Sequence, residues 1–178
     1  MERQSDILAA IDIGLDKLLA VKAREDFRLF YHYVFGQPMG PHHKEWAAMI
    51  ATPPGVPGGG PHKRVLIQAP RGWAKTTFMV RYILWCLGHN PNLFVTYVTG
   101  DDDLAYSVGD EIGTHISSNE KLRAVFPHLR EDRNRWAKSK RYVVRDVVSK
   151  DATLRCCGVF STGAGGRSHL MVFDDVTS

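Results

Sequence analysis

The stretch that decides the fold of this chain is Val65-Leu66-Ile67-Gln68-Ala69-Pro70-Arg71-Gly72-Trp73-Ala74-Lys75-Thr76-Thr77. Its first part is apolar apart from Gln68, which predicts a short strand over Arg64 to Ala69. Lys75 and Thr76 then open an apolar helical pattern, which predicts a helix from Thr76 to Leu87. A strand, a loop and a helix beginning with Lys-Thr can bind phosphate, because backbone N–H groups at a helix N-terminus point at the anion.

The residues of this loop have expected roles in holding a nucleotide. Lys75 would reach the β- and γ-phosphates, and the Thr76 hydroxyl would bind Mg²⁺. The pattern departs from G-x-x-x-x-G-K-[ST], because Ala69 and Ala74 stand where glycines are usual and Gly72 is additional. Alanine still permits close approach of the backbone if its φ angle is negative. The alternative is a chance Lys-Thr pair at the start of an ordinary helix. The residues predicted to bind ATP are Pro70, Gly72, Trp73, Ala74, Lys75, Thr76 and Thr77.

A second segment, from Ser168 to Asp175, supports the same site. Leu170 to Phe173 is continuously apolar and predicts a buried strand that ends in Asp174 and Asp175. Ligands bind beyond the carboxyl ends of parallel strands, so this segment and the loop should face one crevice. An Asp at such a strand end holds Mg²⁺ in nucleotide hydrolases with a phosphate loop, so one of these two carboxylates is expected to bind the metal together with Thr76. A turn or helix-cap role is the alternative for Asp175.

The rest of the sequence predicts an α/β core that follows a helical N-terminal segment. Residues 1–62 read as amphipathic helices and a Pro/Gly loop, and residues 63–178 read as strands alternating with helices, with mainly parallel pairing. The further predicted helices are Asp26 to Phe35, His43 to Ile50 and Asp101 to Ser117; the further predicted strands are Leu93 to Thr99 and a hairpin of Tyr142 to Val148 with Ala152 to Cys157.

Charge is concentrated in one part of the chain. The formal net charge is only +4, but between Lys121 and Arg145 nine Lys/Arg residues accompany two acidic ones. Such a stretch indicates either a solvated basic face or a surface for a polyanion. No apolar run approaches the ~20 residues needed to cross a bilayer, and the N-terminus lacks the layout of a signal peptide. A cytoplasmic protein without a membrane partner is expected.

Taken in order, several segments resemble the ATPase domain of the terminase large subunits of tailed bacteriophages. Pro70 to Thr76 resembles their variant phosphate loop, which often carries an early arginine, although glycine commonly stands where this chain has Ala74. The other similar stretches are Asp26 to Phe30 with Pro41 to His43, resembling the region that approaches the adenine; Thr99 to Ala105, resembling the segment after the second strand; and Thr162 to Arg167, resembling the lead into the acidic strand.

The resemblance implies a fold and a set of site residues. The fold is a RecA-like (ASCE) P-loop NTPase with a mainly parallel central sheet. Arg71 matches an arginine that acts on the γ-phosphate, and Asp174 matches the Mg²⁺-binding carboxylate. Asp175 stands where the family usually has a catalytic glutamate, and its side chain is one methylene shorter. Arg71, Lys75 and Asp175 are therefore the predicted catalytic residues, and ATP and Mg²⁺ are the predicted cofactors.

The resemblance also implies an activity and partners. ATP hydrolysis would power translocation of double-stranded viral DNA into the procapsid. The partners would be duplex DNA, the portal protein and the terminase small subunit, and copies of the chain would form a ring at the portal in the bacterial host cytoplasm. The isolated chain is expected to be a monomer. The arginine that completes a neighbouring copy's site would be Arg133, Arg135, Arg141 or Arg167.

The family normally adds further strands and a C-terminal nuclease domain with clustered acids. Because the sequence ends at Ser178, an incomplete ATPase core in a fragment is expected, and the full-length protein would also be an endonuclease. Two other functions stay open. One is another RecA-like nucleic-acid motor, such as a helicase. The other is a degenerate module that binds nucleotide without turnover, which Ala74 and Asp175 favour.

Overall fold

The computed structural model describes residues 2–50, 52–57, 63–161 and 166–176, with the side chains of residues 2–10 left out. Part of the Pro/Gly loop and most of the glycine-rich stretch Thr162 to Arg167 therefore lie outside the described residues. The elements, in chain order, are α1 (Glu2–Ala23), α2 (Phe27–Phe35), α3 (Pro41–Met49), α4 (Lys75–His89), β1 (Val95–Thr99), α5 (Asp102–Ser118), α6 (Glu120–Val125), β2 (Glu131–Trp136), β3 (Lys140–Val143), β4 (Leu154–Gly158) and β5 (Leu170–Phe173).

The five strands form one mixed sheet in the order β2-β3-β4-β1-β5. β1 pairs in parallel with β4 and β5, whereas β2 with β3 and β3 with β4 are antiparallel. The prediction of a RecA-like fold with a mainly parallel central sheet is therefore wrong. The cause is local, since β2 and β3 are joined by the short turn 137–139, and parallel strands need a crossover of a dozen or more residues.

The prediction of a strand over Arg64 to Ala69 is also wrong. Residues 64–70 belong to no strand, although exposed and half-buried positions alternate along them, as in an extended segment. Ile67 and Ala69 pack against the core, while Leu66 is 85% exposed. An extended segment forms a strand only when a neighbouring strand pairs with its backbone hydrogen-bonding groups. β5 lies at the end of the sheet, paired with β1 alone among the described strands.

The predicted helices are confirmed, and capping hydrogen bonds explain where α2 and α5 begin. Asp26 caps α2, accepting a hydrogen bond from the Arg28 N–H at 2.7 Å, and Gly36 ends α2 with φ of 69°. Asp101 caps α5 in the same way, accepting from the Leu104 N–H at 2.8 Å. The predicted antiparallel pairing of two strands here is found between β3 and β4. The first strand, however, covers Lys140–Val143 instead of Tyr142 to Val148.

One hydrophobic core joins the N-terminal helices to the rest of the chain. The helix α4 is buried along most of its length, including Phe78 and Trp85. Rings from α2 cover it, with centroid distances to Trp85 of 5.7 Å from Phe27 and 5.1 Å from Phe30. Trp46 of α3 contacts Phe78 edge to face at 5.5 Å. Within the described ranges, no helix is both long and apolar enough to span a bilayer.

The basic stretch between Lys121 and Arg145 is not a uniform surface. Arg141 is only 4% exposed, and its guanidinium occupies the space that Gly109 and Gly113 leave beside α5. It donates hydrogen bonds to the Lys138 carbonyl oxygen at 2.7 Å and to the Asp110 carboxylate. Arg141 therefore fixes the β2–β3 turn to α5.

Gly88 on α4 should not accept a larger side chain. A Cβ atom there would lie 2.1 Å from Cδ2 of Phe126, whose ring is 2% exposed. We expect Gly88→Ala to lower the free energy of unfolding by about 1 to 3 kcal/mol, because a packed ring or the helix itself must move. Urea unfolding followed by circular dichroism measures the change.

The matched control is Gly14→Ala on α1, where an added Cβ meets no atom within 4 Å. Helix propensity alone should then raise stability, by up to ~1 kcal/mol. A Gly88→Ala protein as stable as the Gly14→Ala protein would contradict the packing described around α4.

Candidate functional site

The loop and the acidic strand end meet in three dimensions. The Thr76 hydroxyl Oγ1 donates a hydrogen bond to Oδ2 of Asp174 at 2.5 Å, although the two residues are 98 positions apart. Thr76 lies in the first turn of α4, and Asp174 follows β5 directly. Asp174 is buried, with 9% exposure. The structure thus brings together the two residues that the sequence predicts as metal ligands.

Lys75, the first residue of α4, folds back over the loop. Its ammonium Nζ donates to the carbonyl oxygens of Ala69 at 2.9 Å and Pro70 at 3.3 Å. These acceptors are neutral, and in the described part of the chain the Lys75 ammonium forms no ion pair with a carboxylate. An anion at the loop would therefore gain a nearby cation that has no competing carboxylate.

The backbone of the loop is set by two residues with positive φ. Gly72 has φ of 84°, which glycine adopts without steric cost. Ala74, the residue before α4, has φ of 53° and ψ of 38°, the left-handed region. Alanine can replace the usual glycine without strain only where φ is negative. Ala74 does not meet this condition. Among the described residues no side chain caps this end of α4, so its first N–H groups have no side-chain acceptor there.

Helix α3 holds the loop from the other side. Nε2 of His43 lies 3.2 Å from the carbonyl oxygen of Trp73, and because a carbonyl only accepts, the ring nitrogen is the donor. Burial lowers the pKa of His43, which favours the neutral ring that this tautomer requires. The His42 ring lies 4.7 Å from the Trp73 ring. Of the region expected near an adenine, Pro41 to His43 thus lies at the loop, whereas Phe30 is buried in the core.

Asp174 has a second partner that the sequence did not reveal. The Tyr97 hydroxyl, on the interior strand β1, donates to the same oxygen Oδ2 at 2.6 Å. Burial raises the pKa of Tyr97, so this phenol stays protonated and remains a donor. Sequence reasoning read Tyr97 only as part of a buried strand. The available signal was that a buried tyrosine hydroxyl usually needs a hydrogen-bond partner.

The remaining predicted residues stay at the surface of the same region. Arg71 is exposed and forms no hydrogen bond or ion pair with the part of the chain that the structure describes. Asp175 is exposed, with φ of 44°, next to Asp174 in the chain. The other predicted contacts with nucleotide are the exposed Pro70, Gly72 and Trp73 and the half-buried Thr77.

The donor set can hold a hard cation together with phosphate. Residues 2–50, 52–57, 63–161 and 166–176 contain no group of three or more His, Cys, Asp or Glu side chains that could hold a metal ion. A closed protein cage is therefore absent from them. Mg²⁺ is commonly bound by one or two carboxylates together with substrate phosphates, and the Thr76 hydroxyl and Asp174 carboxylate suit that mode.

A cavity of about 770 Å³ lies away from the loop, at the carboxyl ends of β1 and β4. Its lining includes Asp102, Lys140 and Phe160, and none of the loop residues 70–77. Asp102 accepts hydrogen bonds from the Gly158 N–H at 2.6 Å and from the Ser161 hydroxyl, which lowers the pKa of its carboxyl. The cavity and the loop are therefore separate features.

The candidate arginines for a neighbouring site differ in availability. The Arg141 guanidinium is buried on Asp110, so it cannot reach another molecule in this conformation. Arg133 is 89% exposed and paired with Glu131, and Arg135 is 47% exposed and paired with Asp132. Arg167 is exposed beside the glycine-rich stretch.

Ala74 should be replaceable by glycine with a gain in stability. A left-handed conformation costs an L-residue roughly 1 to 2 kcal/mol, while glycine loses about 0.4 to 1 kcal/mol through the unfolded state. We expect Ala74→Gly to raise the free energy of unfolding by up to about 1 kcal/mol, measured by urea unfolding. Ala69→Gly is the control and should lower it, since Ala69 has no positive φ. Equal losses in both variants would contradict the strain at Ala74.

Comparison with known proteins adds no assignment to this geometry. No protein-family model matches the sequence, and no curated protein matches it.

Proposed function

We propose that this chain binds ATP with Mg²⁺ at residues 70–77 and hydrolyses its γ-phosphate. The observation that carries the proposal is the hydrogen bond from Thr76 to Asp174. A Lys-Thr pair at a helix start is weak support by itself. Its contact with a buried carboxylate after a parallel strand supplies the second ligand that such a site requires.

In this proposal the chain's own residues bind and orient the triphosphate. The Lys75 ammonium moves from the carbonyl oxygens of Ala69 and Pro70 to the β- and γ-phosphates. The uncapped N–H groups of α4 point at the same anion. Thr76 and Asp174 would hold Mg²⁺, whose charge would offset that of the phosphate oxygens.

Two exposed residues act on the reacting phosphate. The Arg71 guanidinium, without an ion pair to any described acid, turns to the γ-phosphate and stabilises the charge that develops during cleavage. Asp175, next to Asp174, orients the attacking water.

The finer proposal is a motor that drives duplex DNA into a procapsid. It rests on the order of motifs that resembles terminase large subunits and on exposed cations such as Arg133, Lys140, Lys150 and Arg167. Such cations bind DNA phosphates and release counterions. The partners are then duplex DNA, the portal protein, the terminase small subunit and further copies of this chain in a ring, in the cytoplasm of a bacterial host.

A nucleotide-binding module without turnover is the second candidate. The left-handed Ala74 and the short Asp175 favour it, because both weaken groups that the chemical step uses. Binding of ATP with no phosphate release in the presence of duplex DNA would select this candidate. Separation of DNA strands during turnover would instead indicate a helicase.

Lys75→Ala tests the phosphate loop. Removing the ammonium should weaken binding of a fluorescent ATP analogue about 10-fold or more, since a charge-assisted hydrogen bond contributes about 1.5 to 3 kcal/mol. Phosphate release should fall to background. Lys44→Ala, on the exposed face of α3, is the charge-matched control and should bind as the wild type does. Unchanged binding and turnover in Lys75→Ala would reject the loop assignment.

Arg71→Ala separates binding from cleavage. We expect turnover to fall about 10²-fold, because a group aimed at developing charge acts mainly in the transition state, while affinity for ATP changes little. The two quantities come from phosphate release and from equilibrium binding of the fluorescent analogue. Arg64→Ala, another exposed arginine before the loop, is the control. Equal losses of affinity and turnover would mean that Arg71 only anchors the bound phosphate.

A further inference from the structure

Tyr97 joins an interior strand of the sheet to the proposed metal ligand. It lies on β1 between β4 and β5, opposite Cys156 on one side and Val172 on the other. The residue is fully buried, and its hydroxyl reaches Oδ2 of Asp174 at 2.6 Å. The strand that contributes this hydroxyl is therefore different from the strand that ends at Asp174.

The two donors to Asp174 differ in how firmly they are held. Thr76 and Tyr97 both donate to Oδ2, and Oδ1 takes part in neither bond. Thr76 belongs to the first turn of α4, and its hydroxyl must present a lone pair to a cation when one binds. Tyr97 has no such second task. Its ring is packed in the core with no exposure to solvent, and its hydroxyl lies 2.6 Å from Oδ2 of Asp174.

A buried carboxylate that lost its donors would pay a desolvation cost or turn away. The Thr76 hydroxyl has a second task, because its lone pair binds the cation, whereas the Tyr97 hydroxyl only donates to Oδ2 of Asp174. The rigid phenol therefore fixes the rotation of the carboxylate while Oδ1 remains available. This is the arrangement by which outer partners orient a metal-binding side chain.

We propose that Tyr97 is a positioning residue: its hydroxyl holds the Asp174 carboxylate in the orientation that binds Mg²⁺ together with Thr76. The inference rests on the proposed function for the presence of Mg²⁺, and on the structure for the hydrogen bond between Tyr97 and Asp174. It makes cation affinity depend on the interior strand β1, which carries none of the residues that the sequence assigned to the site.

The experiment is Tyr97→Phe in the 178-residue chain, which removes the hydroxyl and keeps the ring. Binding of a fluorescent ATP analogue is titrated with MgCl₂, and the concentration of Mg²⁺ at half-maximal binding is read. We expect it to rise about 10- to 100-fold, the usual effect of removing an outer partner of a metal ligand. Binding measured without Mg²⁺ should stay as in the wild type, because the phosphate contacts of Lys75 are intact.

Tyr82→Phe is the matched control. Tyr82 is also buried, at 3% exposure, and burial raises its pKa, but its hydroxyl bonds to Cys86 and Thr52 instead of Asp174. Its Mg²⁺ requirement should equal that of the wild type. An unchanged Mg²⁺ requirement in Tyr97→Phe would overturn the proposal. The same rise in the Mg²⁺ requirement of both variants would also overturn it, because it would indicate general loosening of the core.

A double-mutant cycle with Asp174→Asn tests whether Tyr97 acts through Asp174. The Mg²⁺ requirement of the double variant should equal that of Asp174→Asn alone, whereas additive effects would overturn the proposal. The same four proteins are compared by urea unfolding without metal or nucleotide. If the wild type shows no Mg²⁺-dependent binding, the proposed function fails by itself. Non-additive stabilities would then still support positioning of Asp174 by Tyr97, and additive ones would reject it.

Discussion

The burial of helix α4 is the constraint on which the rest of the structure depends. A helix that is apolar on nearly all sides must be covered on all of them. In this chain α2 and α3 cover one side, and α5 and Phe126 cover others. Even Arg81 within α4 is buried, with its guanidinium 4.2 Å from the Tyr31 ring centroid and its Nη2 donating to Gln37 at 2.9 Å. This packing fixes the first turn of α4, where the candidate site begins.

The candidate site adds a second constraint, because Asp174 is a carboxylate in a buried position. Such a group is stable only when hydrogen bonds replace its lost water. Thr76 brings one donor from α4 and Tyr97 brings the other from β1. Asp174 therefore joins three elements that are distant in the sequence, and any group that takes the place of one donor changes how those elements are held.

The positive charges of the chain divide between the fold and the surface. Arg141 is used internally, because Gly109 and Gly113 open a space for its guanidinium beside α5. Arg145 is likewise partly buried and lies over the Phe94 ring, at 5.1 Å from its centroid. Lys140 and Arg133 stay exposed. A basic stretch counted from the sequence thus overstates the charge that a polyanion can meet.

The sequence by itself determined the helices and the strand that leads into Asp174, because these depend on the local spacing of apolar side chains. It also placed Lys75 and Thr76 at a helix start. Only the tertiary structure decided the mixed pairing of the sheet, the unpaired state of residues 64–69, the left-handed φ of Ala74 and the contact of Tyr97 with Asp174. Apolar periodicity records which side chains are buried, whereas strand pairing, backbone strain and long-range hydrogen bonds depend on neighbours that lie far away along the chain.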